Sequence, residues 1–137
     1  MNLHLLLLIA YSAGLLLLGL ADARVLLRTG APAKKPIGEN STIGVVATNA
    51  KLTKTQATKV AQMAHDGLAR AVTPVHSLAD GDTLFALATG TLAAEADVSR
   101  IGALAAEAVA DAVLRAARAA KGLPGLPAAR DLRAAPR

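Results

Sequence analysis

The sequence predicts an α/β fold with elements in the order strand, helix, strand, helix, preceded by an N-terminal hydrophobic helix. Three observations carry this. The runs "TIGVVAT" (42–48) and "TLFALAT" (83–89) are apolar and of strand length. Two longer segments, about 53–72 and 97–121, repeat apolar residues at helical spacing. The first 21 residues contain no Asp, Glu, Lys or Arg, and ten of them are Leu. Two strands do not make a stable sheet by themselves. The chain therefore reads as part of a larger layered α/β body whose other strands lie elsewhere.

The opening segment, residues 1–23, is long enough for a membrane-inserted helix, since a bilayer core takes about 20 apolar residues. Arg24, Arg28, Lys34 and Lys35 follow it. The positive-inside rule then leaves the C-terminal part in the cytoplasm, attached to the membrane. The rival is a signal peptide, for which Ala21-Asp22-Ala23 has the small-x-small form of a cleavage site; a secreted or periplasmic protein would result. Length and the lack of a basic residue before the apolar run favour the anchor. Residues 24–40, which include "RTGAPAKKPIGEN", read as a linker rich in Gly, Pro and charge.

The first strand starts directly after Asn40-Ser41. The first of the two soluble helices spans about Thr53 to Val72, capped by Thr53 or Thr55 and stopped by Pro74. Its apolar face holds Val60, Ala61, Ala64, Leu68, Ala71 and Val72. "HSLADGDT" is a loop around Asp80-Gly81-Asp82, and Gly90 closes the second strand. The last helix spans about Asp97 to Lys121, with a stripe of Ile101, Leu104, Ala105, Ala108, Val109, Ala112, Val113 and Ala116. Gly122 and Pro124 stop it. The residues after Pro127 read as a basic, frayed tail.

Composition narrows the function. The net charge is +5. From Ser41 onward the basic excess is small and spread along helices, and Tyr11 and Phe85 are the only aromatics. Nucleic-acid binding wants a basic face and stacking aromatics, so it is not expected. The chain has no cysteine, which excludes disulfides, thiolate metal sites and a Cys nucleophile. Alanine dominates the C-terminal half and buries little area, so the core is thin.

Ser41 is the most informative candidate for chemistry. A serine that follows a flexible lead-in and opens a strand suits an N-terminal nucleophile. Its hydroxyl attacks the Asn40 carbonyl, an N-to-O acyl shift gives an ester, and water splits it. The freed Ser41 then carries a hydroxyl and an α-amine whose pKa of about 7.7–8.0 suits a base. The same Asn-Ser pair also suits a plain strand start, and spacing alone leaves both readings open. His76-Ser77 with Asp80 or Asp82 has the residue types of a Ser-His-Asp set, although residues so close in one loop rarely converge in triad geometry. His65, beside Asp66, reads as a partly exposed polar residue on its helix. Asp80-Gly81-Asp82 reads as a plain turn, and two aspartates in one loop do not make a metal site without further ligands.

The string "NSTIGVVATNAKLTKTQATKVAQMAHDGLARAVTPVHSLADGDTLFALATG", with "GLPGLPAARDL" after the last helix, resembles the nucleophile-bearing C-terminal part of the self-cleaving serine aminopeptidases. These include L-aminopeptidase/D-esterases and β-peptidyl aminopeptidases. The resemblance covers about Ala31 to Leu132. It implies a partial αββα sandwich of the N-terminal-nucleophile type, with residues 41–132 as a small-subunit-like domain and 133–137 as a tail. It implies cleavage between Asn40 and Ser41. It also implies that Ser41 acts as nucleophile on N-terminal residues of peptides, amino-acid amides or esters, with no metal or organic cofactor. Asp82 takes the acidic role of orienting the amine. Asp80 stands where the family has a serine, and a carboxylate accepts but does not donate.

The family's long N-terminal subunit provides most of the sheet, the substrate pocket and an oxyanion asparagine. The residues upstream of Asn40 do not resemble it. The chain is thus expected to be a fragment or fused reading frame that needs the missing large subunit, or other copies, as partner. The alternative is a catalytically inactive, membrane-anchored remnant or interaction module.

Overall fold

The computed structural model describes residues 23–30, 41–77, 80–125 and 127–132. The chain divides into two compact units, residues 1–39 and 40–137.

In the first unit, Ala23–Thr29 forms helix α1. Its sequence, ARVLLRT, is rich in good helix formers. Gly30, at φ +64°, ends it in the left-handed conformation that glycine adopts without a steric penalty. The segment expected as a linker from residue 24 therefore opens in a helix. The hydrophobic helix expected over 1–23 lies, apart from Ala23, outside the described residues. Among those residues no helix is long and apolar enough to cross a membrane.

The second unit runs β1 (Ile43–Thr48), α2 (Lys54–Ala71), β2 (Thr83–Ala88), α3 (Val98–Ala119) and α4 (Ala129–Leu132). The strand–helix–strand–helix order is as expected, and the class is α/β. β1 and β2 pair in parallel, from Ile43 opposite Thr83 to Thr48 opposite Ala88. A parallel pair cannot be joined by a tight turn, and α2 is the crossover that this pairing requires.

Both long helices lie on one face of the two strands. Val60, Ala64 and Leu68, four residues apart on α2, meet Ala105 and Val109 of α3 and Leu84 of β2. Val46, Ala86, Ile101 and Val113 pack around them. Leu68 and Val60 are the largest fully buried side chains, each worth about 1.5–3 kcal/mol of transfer free energy.

The caps explain where the helices start. The Thr53 hydroxyl accepts from the Gln56 amide, and the Gln56 side chain accepts from the Thr53 amide. This capping box selects Thr53 over Thr55. Asp97 caps α3 by accepting from the Arg100 amide at 3.0 Å. At the other end, the Arg130 guanidinium donates to the carbonyls of Arg118 and Ala119. Those are orphan acceptors of the last turn of α3. Asp131 Oδ2 accepts from the Ala128 amide at 2.8 Å. Residues 127–132 are therefore tied to the body by polar contacts, where the sequence read as frayed.

The apolar stripe of α3 differs from expectation. Gly102, Ala105, Ala106 and Val109 are buried, whereas Leu104, Ala108, Ala112 and Ala116 are exposed. The helix is rotated because its small residues face α2. Gly67 of α2 lies against the Ala106 carbonyl, and Gly102 of α3 lies against the Met63 sulfur. A Cβ at Gly67 would collide with the Ala106 backbone, so the two helices come closer there than an alanine would allow, while a Cβ at Gly102 would displace the end of the Met63 side chain. Leu104 and Ala108 instead line an apolar groove of about 480 Å³ with Val46 and Ala86.

The other face of the strands has no cover among the described residues. Ile43 is 75% exposed, Val45 57%, Phe85 53% and Leu87 57%. The described residues thus give one helix layer on a two-stranded parallel sheet, and the second sheet and helix layer of the αββα sandwich expected from the resemblance are not among them.

A Gly→Ala change inside a helix ordinarily stabilises by about 0.5–1 kcal/mol. Gly67→Ala should invert that sign and cost about 1–3 kcal/mol through overpacking against Ala106. Urea unfolding followed by circular dichroism measures it.

Candidate active site

The parallel register brings the starts of the two strands together. Ser41 and Thr42 precede β1; Gly81 and Asp82 precede β2. The Thr83 amide donates to the Thr42 carbonyl at 2.8 Å, which extends the ladder one step beyond the first strand pair. The Thr42 amide donates to Asp82 Oδ1 at 2.8 Å. The Asp82 side chain thus substitutes for a backbone carbonyl where β1 begins.

Ser41 is exposed. A Cβ added to Gly81 would sit 2.5 Å from the Ser41 Oγ. Glycine at 81 is what leaves space for that hydroxyl. Of the residues singled out in sequence, the fold brings Ser41 and Asp82 to one place. Asn40 lies outside the described residues.

Asp82 is the best-connected acid of the site. Its side chain is only 7% exposed. Its Oδ2 lies 3.3 Å from His76 Nδ1. Burial by itself would push the carboxyl up. The Thr42 hydrogen bonds and the nearby His76 outweigh this and hold it below its ordinary value of 3.8. Asp82 is therefore a carboxylate at neutral pH, without a proton to give.

Asp80 has a different placement. Its Oδ2 accepts from the Ser77 amide at 2.9 Å, and its own amide donates to the Ser77 carbonyl at 3.0 Å. These two bonds brace the loop that delivers Gly81 and Asp82. Ser77 enters through its backbone. The Ser-His-Asp set drawn from this loop is thus represented by its His76–Asp82 half among the described contacts.

His76 takes φ +57°, a left-handed conformation uncommon in non-glycine residues, in which His is enriched along with Asn and Asp. Its other ring nitrogen, Nε2, lies 3.3 Å from Nδ1 of His65 on α2. The ring centroids are 4.8 Å apart. His65 is partly exposed, as its sequence position beside Asp66 suggests, but its pairing with His76 has no signal in the sequence. Only the turn after α2 brings a residue 11 positions later back against it. A second depression, lined by Lys51, Gln56, Thr91, Leu92 and Glu95, lies at the opposite ends of the strands and takes no part in this cluster.

The parallel strand–helix–strand unit thus sets Ser41 at one strand start beside the largely buried Asp82 carboxylate at the next, and these form the candidate site. The chain belongs to peptidase family S58, whose model matches residues 8–130. The match opens inside the apolar N-terminal run and so reaches further upstream than the resemblance drawn from Ala31. It bears out the likeness to the self-cleaving serine aminopeptidases. The chain is 43% identical over 108 residues to an uncharacterized aminopeptidase of Mycobacterium leprae (strain TN), covering 69% of this chain and 30% of that protein. An uncharacterized aminopeptidase of Mycobacterium tuberculosis (strain ATCC 25618 / H37Rv) is 41% identical over 106 residues, covering 68% and 31% respectively. A 6-aminohexanoate-oligomer endohydrolase of Kocuria sp. (strain KY2) is 34% identical over 92 residues, covering 58% and 25%. The chain thus spans about three-tenths of the length of the aminopeptidases it matches.

The lowered Asp82 pKa sets a sign for acid stability. A carboxyl whose folded value is depressed contributes above its unfolded value and loses that contribution as pH falls through the folded one. Asp82→Asn should cost about 1–2 kcal/mol near neutral pH. The gap to wild type should persist down to about pH 4 and close below it. Urea midpoints measured across pH check this.

Proposed function

We propose that the chain is the nucleophile-bearing part of a self-processing serine hydrolase of the aminopeptidase type. Ser41 Oγ attacks the Asn40 carbonyl carbon and its proton passes to the leaving nitrogen. The resulting ester is hydrolysed, which frees the Asn40 carboxylate and the Ser41 α-amine. The amine then serves as base for its own hydroxyl in attack on a substrate amide or ester. The observation that carries this reading is the Thr42 amide bound to buried Asp82, with Gly81 leaving space for the Ser41 hydroxyl. That pairing fixes the first residues of β1 and sets a negative charge close to where the ammonium would form. An opposite charge within about 4–6 Å favours the charged form, so Asp82 would hold the new amine in place.

The proposed substrates are N-terminal residues of peptides, the class that the aminopeptidase relatives are named for, and amino-acid amides or esters, which the family resemblance implies. The uncovered apolar face of β1 and β2 supports a further requirement. Turnover would need another polypeptide, a large subunit or further copies, to cover that face and wall the pocket. We further read the apolar run 1–21 as a membrane anchor, which membrane fractionation of the intact chain tests.

Mass spectrometry of the purified chain after incubation tests the first step. A fragment starting at Ser41 is expected, and Ser41→Ala should abolish it. Gly81→Ala should slow its appearance about 100-fold, because a displacement near 1 Å at the reacting hydroxyl costs that much. A wild-type chain that stays intact both alone and with a supplied large subunit would instead favour a non-catalytic interaction module.

A further inference from the structure

We propose that His76 is a positioning residue for Asp82, and that His65 fixes the tautomer His76 must adopt. The proposal rests on the reading of Ser41 as nucleophile, and it adds two residues to that site. The four groups form a chain: Thr42 amide, Asp82 carboxylate, His76 imidazole, His65 imidazole. The contacts are 2.8, 3.3 and 3.3 Å.

Proton bookkeeping gives the chain a direction. Asp82 is ionised, its Oδ1 accepts from the Thr42 amide, and its Oδ2 faces His76 Nδ1 at 3.3 Å; a carboxylate offers only acceptors, so a hydrogen on Nδ1 is the form that suits this contact. In neutral His76 its Nε2 is then an acceptor. The facing Nδ1 of His65 must donate, which leaves His65 Nε2 unprotonated. One carboxylate thereby sets both tautomers. The reverse also holds: a His65 that donates keeps His76 in the form that donates to Asp82. His76 lies between its partners with one nitrogen toward each, so the three side chains form a relay and not a common cage.

The geometry says why Asp82 needs this support. It lies directly before β2, and one of its oxygens holds the start of β1. Rotation of the carboxylate would release the Thr42 amide and, with it, the position of Ser41. A donor on Oδ2 blocks that rotation. Because His65 belongs to α2, which is packed into the core, the strand start is referenced to the rigid part of the unit.

Imidazole ¹H–¹⁵N spectra of the full chain, recorded well above the usual histidine pKa of about 6.5, read the tautomers without requiring any reaction at Ser41. His76 should be protonated at Nδ1 and His65 at Nδ1, with assignments from His76→Asn and His65→Gln. In Asp82→Asn the amide oxygen stays with the Thr42 N–H, so the new NH₂ faces His76. Both histidines should then switch to the Nε2–H form together. A wild-type His76 protonated at Nε2, or a His65 unmoved by Asp82→Asn, overturns the proposal.

The second readout is the rate at which the Ser41 fragment appears. His76→Ala should slow it about 10- to 100-fold. His76→Asn, which keeps a donor near Nδ1 and tolerates positive φ, should recover most of the loss. Equal rates for wild type and His76→Ala would show that His76 positions nothing. Absence of the fragment in every variant, wild type included, would count against the nucleophile reading, while the tautomer spectra still decide for or against the relay.

Discussion

The parallel pairing of β1 with β2 is the constraint on which the rest of the unit depends. It requires a long crossover, and the chain has residues 49–82 in which to make it. It also aligns two strand starts that are distant in sequence. Thr42 and Asp82 are 40 residues apart, yet an amide of one meets the carboxylate of the other. An antiparallel pair would set the start of one strand against the end of its neighbour. The acid would then lie a strand length from the serine.

The helices convert that pairing into a stable body with little apolar mass. The core is built from single medium-sized side chains, Val60, Leu68, Leu84 and Val109, separated by alanines. Such a core gains its energy from close approach more than from large buried areas, and dispersion falls off steeply with small gaps. Gly67 permits that approach, and Gly102 makes space for the Met63 side chain. The same economy explains why an alanine-rich α3 turns its glycine and alanine face toward α2 and leaves Leu104 toward the groove beside the strands.

Element type and order were legible in the sequence because each rests on a local signal. The apolar runs of strand length became β1 and β2, and the four-residue apolar spacing of Val60, Ala64 and Leu68 became the buried face of α2. The two caps are side-chain-to-backbone contacts within a single turn. What was not legible depends on contacts between elements. Leu104 and Ala108 share helical spacing with Ala105, so sequence alone assigns them one stripe; only the glycine contacts with α2 decide which edge is buried. The Arg130 contact with the end of α3 has no periodic signature. Ser41 and Asp82 were drawn together through a family likeness, and the register gives the physical reason for their meeting. His65 and His76 were visible as residues and invisible as a pair, because their contact needs the turn that follows α2.

The arrangement separates two tasks. The groups around Ser41 and Asp82 are held inside one strand–helix–strand unit by the Thr42 amide, by the Asp80–Ser77 hydrogen bonds and by the His76 contact with Asp82. Their geometry therefore depends on the core beneath them. The outward face of the same strands, with Ile43, Val45, Phe85 and Leu87, makes no such contribution. Apolar side chains there gain nothing from water, and a surface of this kind is stable when something packs on it. Placement of Ser41 thus belongs to the inner layer, and the outer face is left free of that task. A change on the outer face should then leave the Asp82 hydrogen bonds in place, because none of its side chains takes part in them.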